Sequence, residues 1–272
     1  MHTLYHGNCL DVLPTLPAQS VDAIIADPPY GTTACKWDSV IPLDAMWREL
    51  KRVIKPRGAV VLFGAQPFTS VLIGSNLDWF KYELIWQKER TGAPGVAQYR
   101  PLPIHESIAV FGDGRTTYNP IMAEGAPYRV ASTAGGKDHK FGFTGKAFVR
   151  VNDGERFPTS VLPFQTKRHN EHPTQKPVEL LRYLVRTYTN PGETVLDFCF
   201  GSCTTGVACL LENRNFIGIE KETNYFEIGS NRMEKQRAEI QHTLFSCGTT
   251  DTSKSDCLGS SLPQALEMFD KA

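Results

Sequence analysis

The sequence predicts a doubly wound α/β fold: a mostly parallel sheet of seven strands with helices on both faces. Three observations carry this. Short apolar runs alternate with helix-period stretches along most of the chain. Most of those runs are continuously apolar rather than alternating, which suits strands covered on both faces. Stop signals such as Lys55-Pro56-Arg57-Gly58 and Asn190-Pro191-Gly192 then close helices that lie between them.

In chain order, strands are expected at 3–6, 21–26, 58–63, 81–86, 106–111, 194–198 and 216–219, with helices at 43–54, 67–76, 177–189, 204–212 and 223–241. Trp79 and Trp86 are read as packing the sheet; His105-Glu106 begins a strand and could face the site, but is read as a satisfied structural pair. The mixed charges over 222–239 read as a solvated helix face. Two stretches break the rhythm. Residues 112–165 are rich in Gly, Thr, Pro and Arg without a sustained period, as an insertion at the sheet's edge would be. Beyond 243 the chain turns Ser/Thr-rich and mildly acidic, so 243–272 is expected to be a flexible tail on a main domain spanning 1–242.

Composition bounds the function. The 272 residues carry 29 Lys+Arg against 29 Asp+Glu, and 41% are hydrophobic, a globular make-up. The longest apolar run, 58–65, falls far short of the roughly 20 residues that span a bilayer, and Met1-His2-Thr3 opens no secretory signal, so a cytoplasmic protein without membrane association is expected. The seven cysteines form no C-x-x-C pair and are expected as free thiols, and no metal site is expected from the spacing of His169 and His172. Zero net charge by itself speaks against a polyanionic partner.

Two strand ends carry chemistry. The run 21–26 leads directly into Asp27-Pro28-Pro29-Tyr30, and the carboxyl ends of strands are where open α/β sheets bind ligands. The two prolines remove donors and stiffen the chain. What remains is a carboxylate, an adjacent carbonyl and an aromatic face, which match the two N–H donors and flat ring of a base's exocyclic amino group. A turn with Asp27 as a local cap is the plainer alternative. The second strand end runs Asp197-Phe198-Cys199-Phe200-Gly201-Ser202-Cys203-Thr204-Thr205-Gly206 into a helix, followed by a strand ending at Glu220. It is neither a phosphate P-loop nor G-x-G-x-x-G. An acid roughly 20 residues after the first glycine can accept both ribose hydroxyls, so a nucleoside-bearing cofactor is expected, with Asp197 beside a cationic group on it.

These segments resemble, in order and over roughly residues 3–240, the β-class amino-group DNA methyltransferases that use S-adenosylmethionine. The resemblance implies a Rossmann-like methyltransferase fold with permuted motif order, in which 112–165 is the target-recognition region. By that resemblance Asp27, Pro28, Pro29 and Tyr30 are the catalytic motif. The cofactor would meet Asn8 and Cys9 in the opening Tyr5–Leu13 segment, Asp27, His172, Thr174 and Lys176 in His172-Pro173-Thr174-Gln175-Lys176-Pro177, and Asp197, Phe198, Phe200, Gly201, Ser202, Thr204, Thr205 and Glu220. Asn8 stands where the family usually has Asp, and Phe198 and Cys203 stand where Pro and Gly are common. A Cβ at 203 is expected to require negative φ or a relaxed turn.

The implied reaction is direct methyl transfer to N6 of an adenine flipped out of duplex DNA. The cysteines, Cys35 included, are not expected to act as nucleophiles. Methylation of cytosine N4, methylation of RNA or a protein amide, and a DNA-binding relative without activity remain alternatives; the leading Asp27 favours adenine. The resemblance also allows a separately encoded restriction endonuclease and a homodimer. The charge objection weakens along the chain: Arg129, Lys137, Lys140, Lys146, Arg150, Arg156, Lys167 and Arg168 face three acids between 129 and 168, a surplus of five. These eight are expected to contact DNA, some of them phosphates, with salt-sensitive binding.

Overall fold

The computed structural model describes residues 1–32, 38–91, 94–132, 148–165 and 175–247. Two compact units are present: one built from Met1–Asn119 and the described residues from Ser160 onward, the other from the described residues of Pro120–Thr159.

The first unit is built on one sheet. In chain order its strands and helices are β1 (His2–His6), α1 (Cys9–Val12), β2 (Val21–Ala26), α2 (Leu43–Val53), β3 (Ile54–Gly64), α3 (Phe68–Gly74), β4 (Phe80–Gln87) and β5 (His105–Phe111). The second unit contributes β6 (Ala123–Glu124), β7 (Tyr128–Ser132), β8 (Phe148–Asn152) and β9 (Glu155–Arg156). The first resumes with β10 (Val161–Pro163), α4 (Val178–Tyr188), β11 (Thr194–Asp197), α5 (Thr204–Leu211), β12 (Asn215–Glu220) and α6 (Thr223–Cys247). The strand order is β1-β12-β11-β2-β3-β5-β4-β10, with β5 alone reversed. All seven expected strands are present, and the sheet has eight. The eighth, β10, pairs in parallel with β4 at the edge, inside the stretch read as aperiodic; three residues ending in Pro163 carry no period to detect.

The continuous apolar runs have the expected cause. From Ala23 to Ala26 of β2 the side chains alternate between two cores: Ala23 and Ile25 lie in one with Leu180, Leu184 and Val207 of α4 and α5, whereas Ile24 and Ala26 lie in the other with Met46, Leu50 and Val53 of α2. Lys55-Pro56-Arg57-Gly58 does end α2, but β3 already begins at Ile54. The register jumps from Val21↔Ile54 to Ala23↔Ala59, so those residues form an irregularity within the strand. Helix α6 is not a wholly solvated face, because Met233 is buried in the core.

Cys203 adopts neither geometry expected of it. It precedes α5 with φ +57°, a left-handed conformation that favours glycine, and its side chain is fully buried. Gly229 of α6 makes the room: a Cβ there would stand 2.6 Å from Phe200 Cε2 and 2.9 Å from Cys203 Cβ. Gly229→Ala is expected to destabilise the protein by about 1–3 kcal/mol through overpacking, despite alanine's higher helix propensity. Chemical denaturation of the variant checks this.

In the second unit β6 pairs with β9 and β7 with β8, both antiparallel. Arg156 serves its own hairpin: it donates to Ala126 O and Asn152 Oδ1 and lies 4.7 Å from the centroid of the Tyr128 ring.

Candidate active site

The strand order switches direction between the parallel neighbours β11 and β2. From β2 the sheet grows through β3, and from β11 it grows the other way through β12, which leaves a crevice at their carboxyl ends. A cleft of about 310 Å³ opens there. Asp27 follows β2, Asp197 ends β11 and Glu220 ends β12, so three separate strands deliver three carboxylates to one cleft. Asn8, Cys9, Pro28, Pro29, Tyr30, Lys176, Phe198, Phe200, Gly201, Ser202, Thr204 and Thr205 also line it. His172 and Thr174 lie outside the described residues, as do Cys35, Lys137, Lys140, Lys146, Lys167 and Arg168.

The Asp27 carboxylate is held from both sides. Tyr30 Oη donates to Oδ1, and Lys176 Nζ pairs with Oδ2. Burial, with Asp27 and Glu106 nearby, pushes the Tyr30 hydroxyl well above the ordinary tyrosine range, so it remains a donor. From sequence, Tyr30 is expected only to stack on the target base. In the structure its ring packs on Phe68 at 5.2 Å between centroids, and its hydroxyl adds the clamp on Asp27.

Asp38 was not legible as a site residue. Its Oδ1 accepts from the backbone N–H groups of Tyr30 and Gly31 at 2.8 Å each, and its Oδ2 from that of Thr32 at 2.9 Å. One buried carboxylate thus fixes the backbone that follows the tetrapeptide. Asp38→Ala is expected to lower turnover by roughly 10- to 100-fold through misplacement of Tyr30; Asp38→Asn, which keeps one acceptor, should lose less. Steady-state kinetics of the two variants check the order.

Glu106 corrects another reading. It does not pair with the exposed His105. It lines the cleft, bonds Lys88 and stands 3.1 Å from Lys176 Nζ. Because β5 runs against its neighbours, its first residues lie at the edge where the parallel strands end. Trp86 is buried, as expected, and lies beneath the ammonium groups of Lys88 and Lys176.

On the other side of the cleft, Glu220 accepts from Gly201 N and Glu222 N, both at 2.8 Å. Arg232 of α6 donates to Ser202 O and fastens the same loop. Asn8 caps α1, its Oδ1 accepting from Leu10 N at 3.0 Å. Asp197 is buried, and desolvation pushes its carboxyl up to about 7; bonds from Thr205 and Cys199 N hold it back, and the charges of Asp27 and Glu220 add to the rise. Burial also raises the thiols of Cys199 and Cys203, so neither is a ready thiolate.

A parallel sheet with one reversed strand, and a cleft lined by acids at the switch point, defines the class: a Rossmann-like α/β protein with its ligand site at the strand ends. The chain belongs to the N6/N4 DNA methylase family, whose profile matches residues 21–231. It is 28% identical over 249 residues to "DNA adenine methyltransferase YhdJ" of Escherichia coli (strain K12), covering 85% of this chain and 82% of that protein. It is 26% identical over 272 residues to "Type II methyltransferase M.HinfI" of Haemophilus influenzae, covering 86% and 69%. The solved structure of an M1.HpyAVI–SAM complex superposes with a TM-score of 0.59 at 25% identity, over 85% of this chain and all of that one. The PvuII cytosine-N4-specific DNA methyltransferase superposes at 0.63 with 16% identity, over 90% and 93%, a likeness of fold alone. No helix among the described residues is long and apolar enough to cross a membrane.

The residues present fit S-adenosylmethionine. Gln175 Oε1 lines the cleft, buried and without a hydrogen-bond partner among the described residues. The Asp197 carboxyl, raised by burial, is a place where a fixed positive charge would be stabilised.

Proposed function

We propose that this methyltransferase acts on N6 of adenine in double-stranded DNA, taking the base out of the stack to reach its amino group. The observation that carries the reading is the Asp27 carboxylate, fixed at the end of β2 by Tyr30 and Lys176 and open to the cleft. Asp27 and the Pro28 carbonyl accept the two N–H bonds of the target amino group and turn its lone pair toward the methyl donor. Tyr30 holds the flipped ring. Glu220 would hold the ribose hydroxyls, Asp197 would face a cationic group of the cofactor, and Gly201, Ser202, Thr204 and Thr205 would form the loop around it. When bound, the cofactor would supply an electrophilic methyl carbon on a sulfonium and leave as the neutral thioether once its carbon–sulfur bond breaks, while the amino nitrogen gives up one of its two protons. The protein's part is to position two bound reactants, with no covalent enzyme intermediate.

The leading acid of the tetrapeptide and the likeness to a protein named as an adenine methyltransferase support adenine over cytosine. The exposed Arg129 and Arg150 of the β7–β8 ribbon support a DNA contact by the inserted region, since a two-stranded ribbon fits the major groove. Arg156, occupied within its hairpin, is the weakest of the eight basic candidates. The likeness to a Type II methyltransferase supports a separately encoded restriction endonuclease as its counterpart.

The test offers the purified protein methyl-labelled cofactor with unmethylated duplex DNA, RNA or a protein extract. Label is expected in duplex DNA, and salt is expected to suppress it; label confined to RNA or protein would overturn the reading.

A further inference from the structure

We propose that Glu106 is a positioning residue for methyl transfer, acting through Lys176 to hold the Asp27 carboxylate against the target amino group. The inference rests on the reading of Asp27 as the acceptor of that group.

Four side chains of alternating charge form a continuous chain from β4 to the catalytic loop. Lys88, just after β4, bonds Glu106 Oε1. Glu106, at the start of β5, stands 3.1 Å from Lys176 Nζ through Oε2. Lys176, just before α4, bonds Asp27 Oδ2. The side chains of Lys176 and Glu106 are only 9% and 15% exposed. The Lys176 ammonium lies 5.1 Å from the Phe63 ring centroid and 5.9 Å from that of Trp86, and Lys88 lies 4.9 Å from the latter.

Burial alone would lower the Lys176 ammonium's pKa, but Asp27 and Glu106 outweigh it and hold the group charged. A buried ammonium on a flexible four-carbon stem adopts one position only when its surroundings fix it. Asp27 cannot be both the reactant-facing acceptor and the sole anchor of that cation. Glu106 supplies the second anchor, and Lys88 sets Glu106 from the outer side. Asp27 then keeps a second lone pair on each oxygen for the amino group, since each oxygen accepts one internal bond. An ion pair serving stability alone would not need a carboxylate reaching the wall of the reaction cleft, where Glu106 stands.

The test measures kcat, the KM for S-adenosylmethionine and the thermal midpoint on the full chain with unmethylated genomic duplex DNA. Glu106→Gln is expected to lower kcat by roughly 10- to 100-fold with little change in cofactor KM. Glu106→Gln/Lys176→Met should be no slower than the slower single variant, because the two residues act as one unit. Wild-type kcat in Glu106→Gln, or losses that multiply in the double variant, would overturn the inference. So would a lowered melting temperature with kcat intact, the signature of a purely structural pair. If Glu106→Gln does not fold, Lys88→Met decides: a lowered kcat in a folded protein supports the role, and an unchanged kcat refutes it. A wild-type protein that transfers no methyl group would instead sink the underlying reading of Asp27.

Discussion

Asp27→Ala is expected to lower methyl transfer by roughly 10³-fold or more, since it removes the acceptor that fixes the amino group's lone pair. Cofactor binding should persist, because Glu220, Asp197 and the Gly201 loop remain in place. The variant also deprives Lys176 of one of its two carboxylates. Glu106 remains, so the stability loss should fall below the ~3–5 kcal/mol that follows when a buried charge loses its partner entirely. Asp27→Asn separates the two effects. It preserves volume but sets an amide against either the Lys176 ammonium or the Tyr30 hydroxyl, so it should stay folded and be nearly as slow. Turnover and cofactor titration on the same preparations check both.

Asp197→Asn is expected to weaken S-adenosylmethionine binding while stabilising the ligand-free protein at neutral pH. The sign follows from the raised carboxyl. Its pKa lies at about 7 when folded against 3.8 ordinarily, so the folded state binds the proton more tightly. That contribution is full below the ordinary value and is lost as pH rises through about 7. Asparagine removes the dependence. A cationic ligand needs the ionised form, so wild-type affinity should rise by up to about tenfold per pH unit below that point and level off above it. Calorimetric titration across this range should give a pH-dependent wild type and a flat Asp197→Asn. A wild-type affinity independent of pH would remove Asp197 from contact with the cofactor's charge.

The sequence exposed what strand ends dictate. Asp27, Asp197 and Glu220 each close an apolar run, and a parallel sheet must bring such ends to one edge. What stayed hidden depends on contacts between segments remote in sequence. Asp38 looks like any loop acid until its oxygens meet three successive amides. Glu106 could face the site or serve a strand-start pair on sequence alone, because nothing local tells that β5 runs backwards and delivers its first residues to the cleft. Cys203 violates a local backbone rule that is offset only by space left at Gly229, 26 residues away. Arg156 counts as a basic residue in any charge tally, yet its guanidinium is taken up by Ala126, Asn152 and Tyr128.

The most direct measurement is nucleoside mass spectrometry of DNA from a methylation-free host expressing the wild-type protein or Asp27→Ala. N6-methyladenine is expected with the wild type and none with the variant. N4-methylcytosine alone, or N6-methyladenine undiminished in Asp27→Ala, would contradict adenine methylation at Asp27.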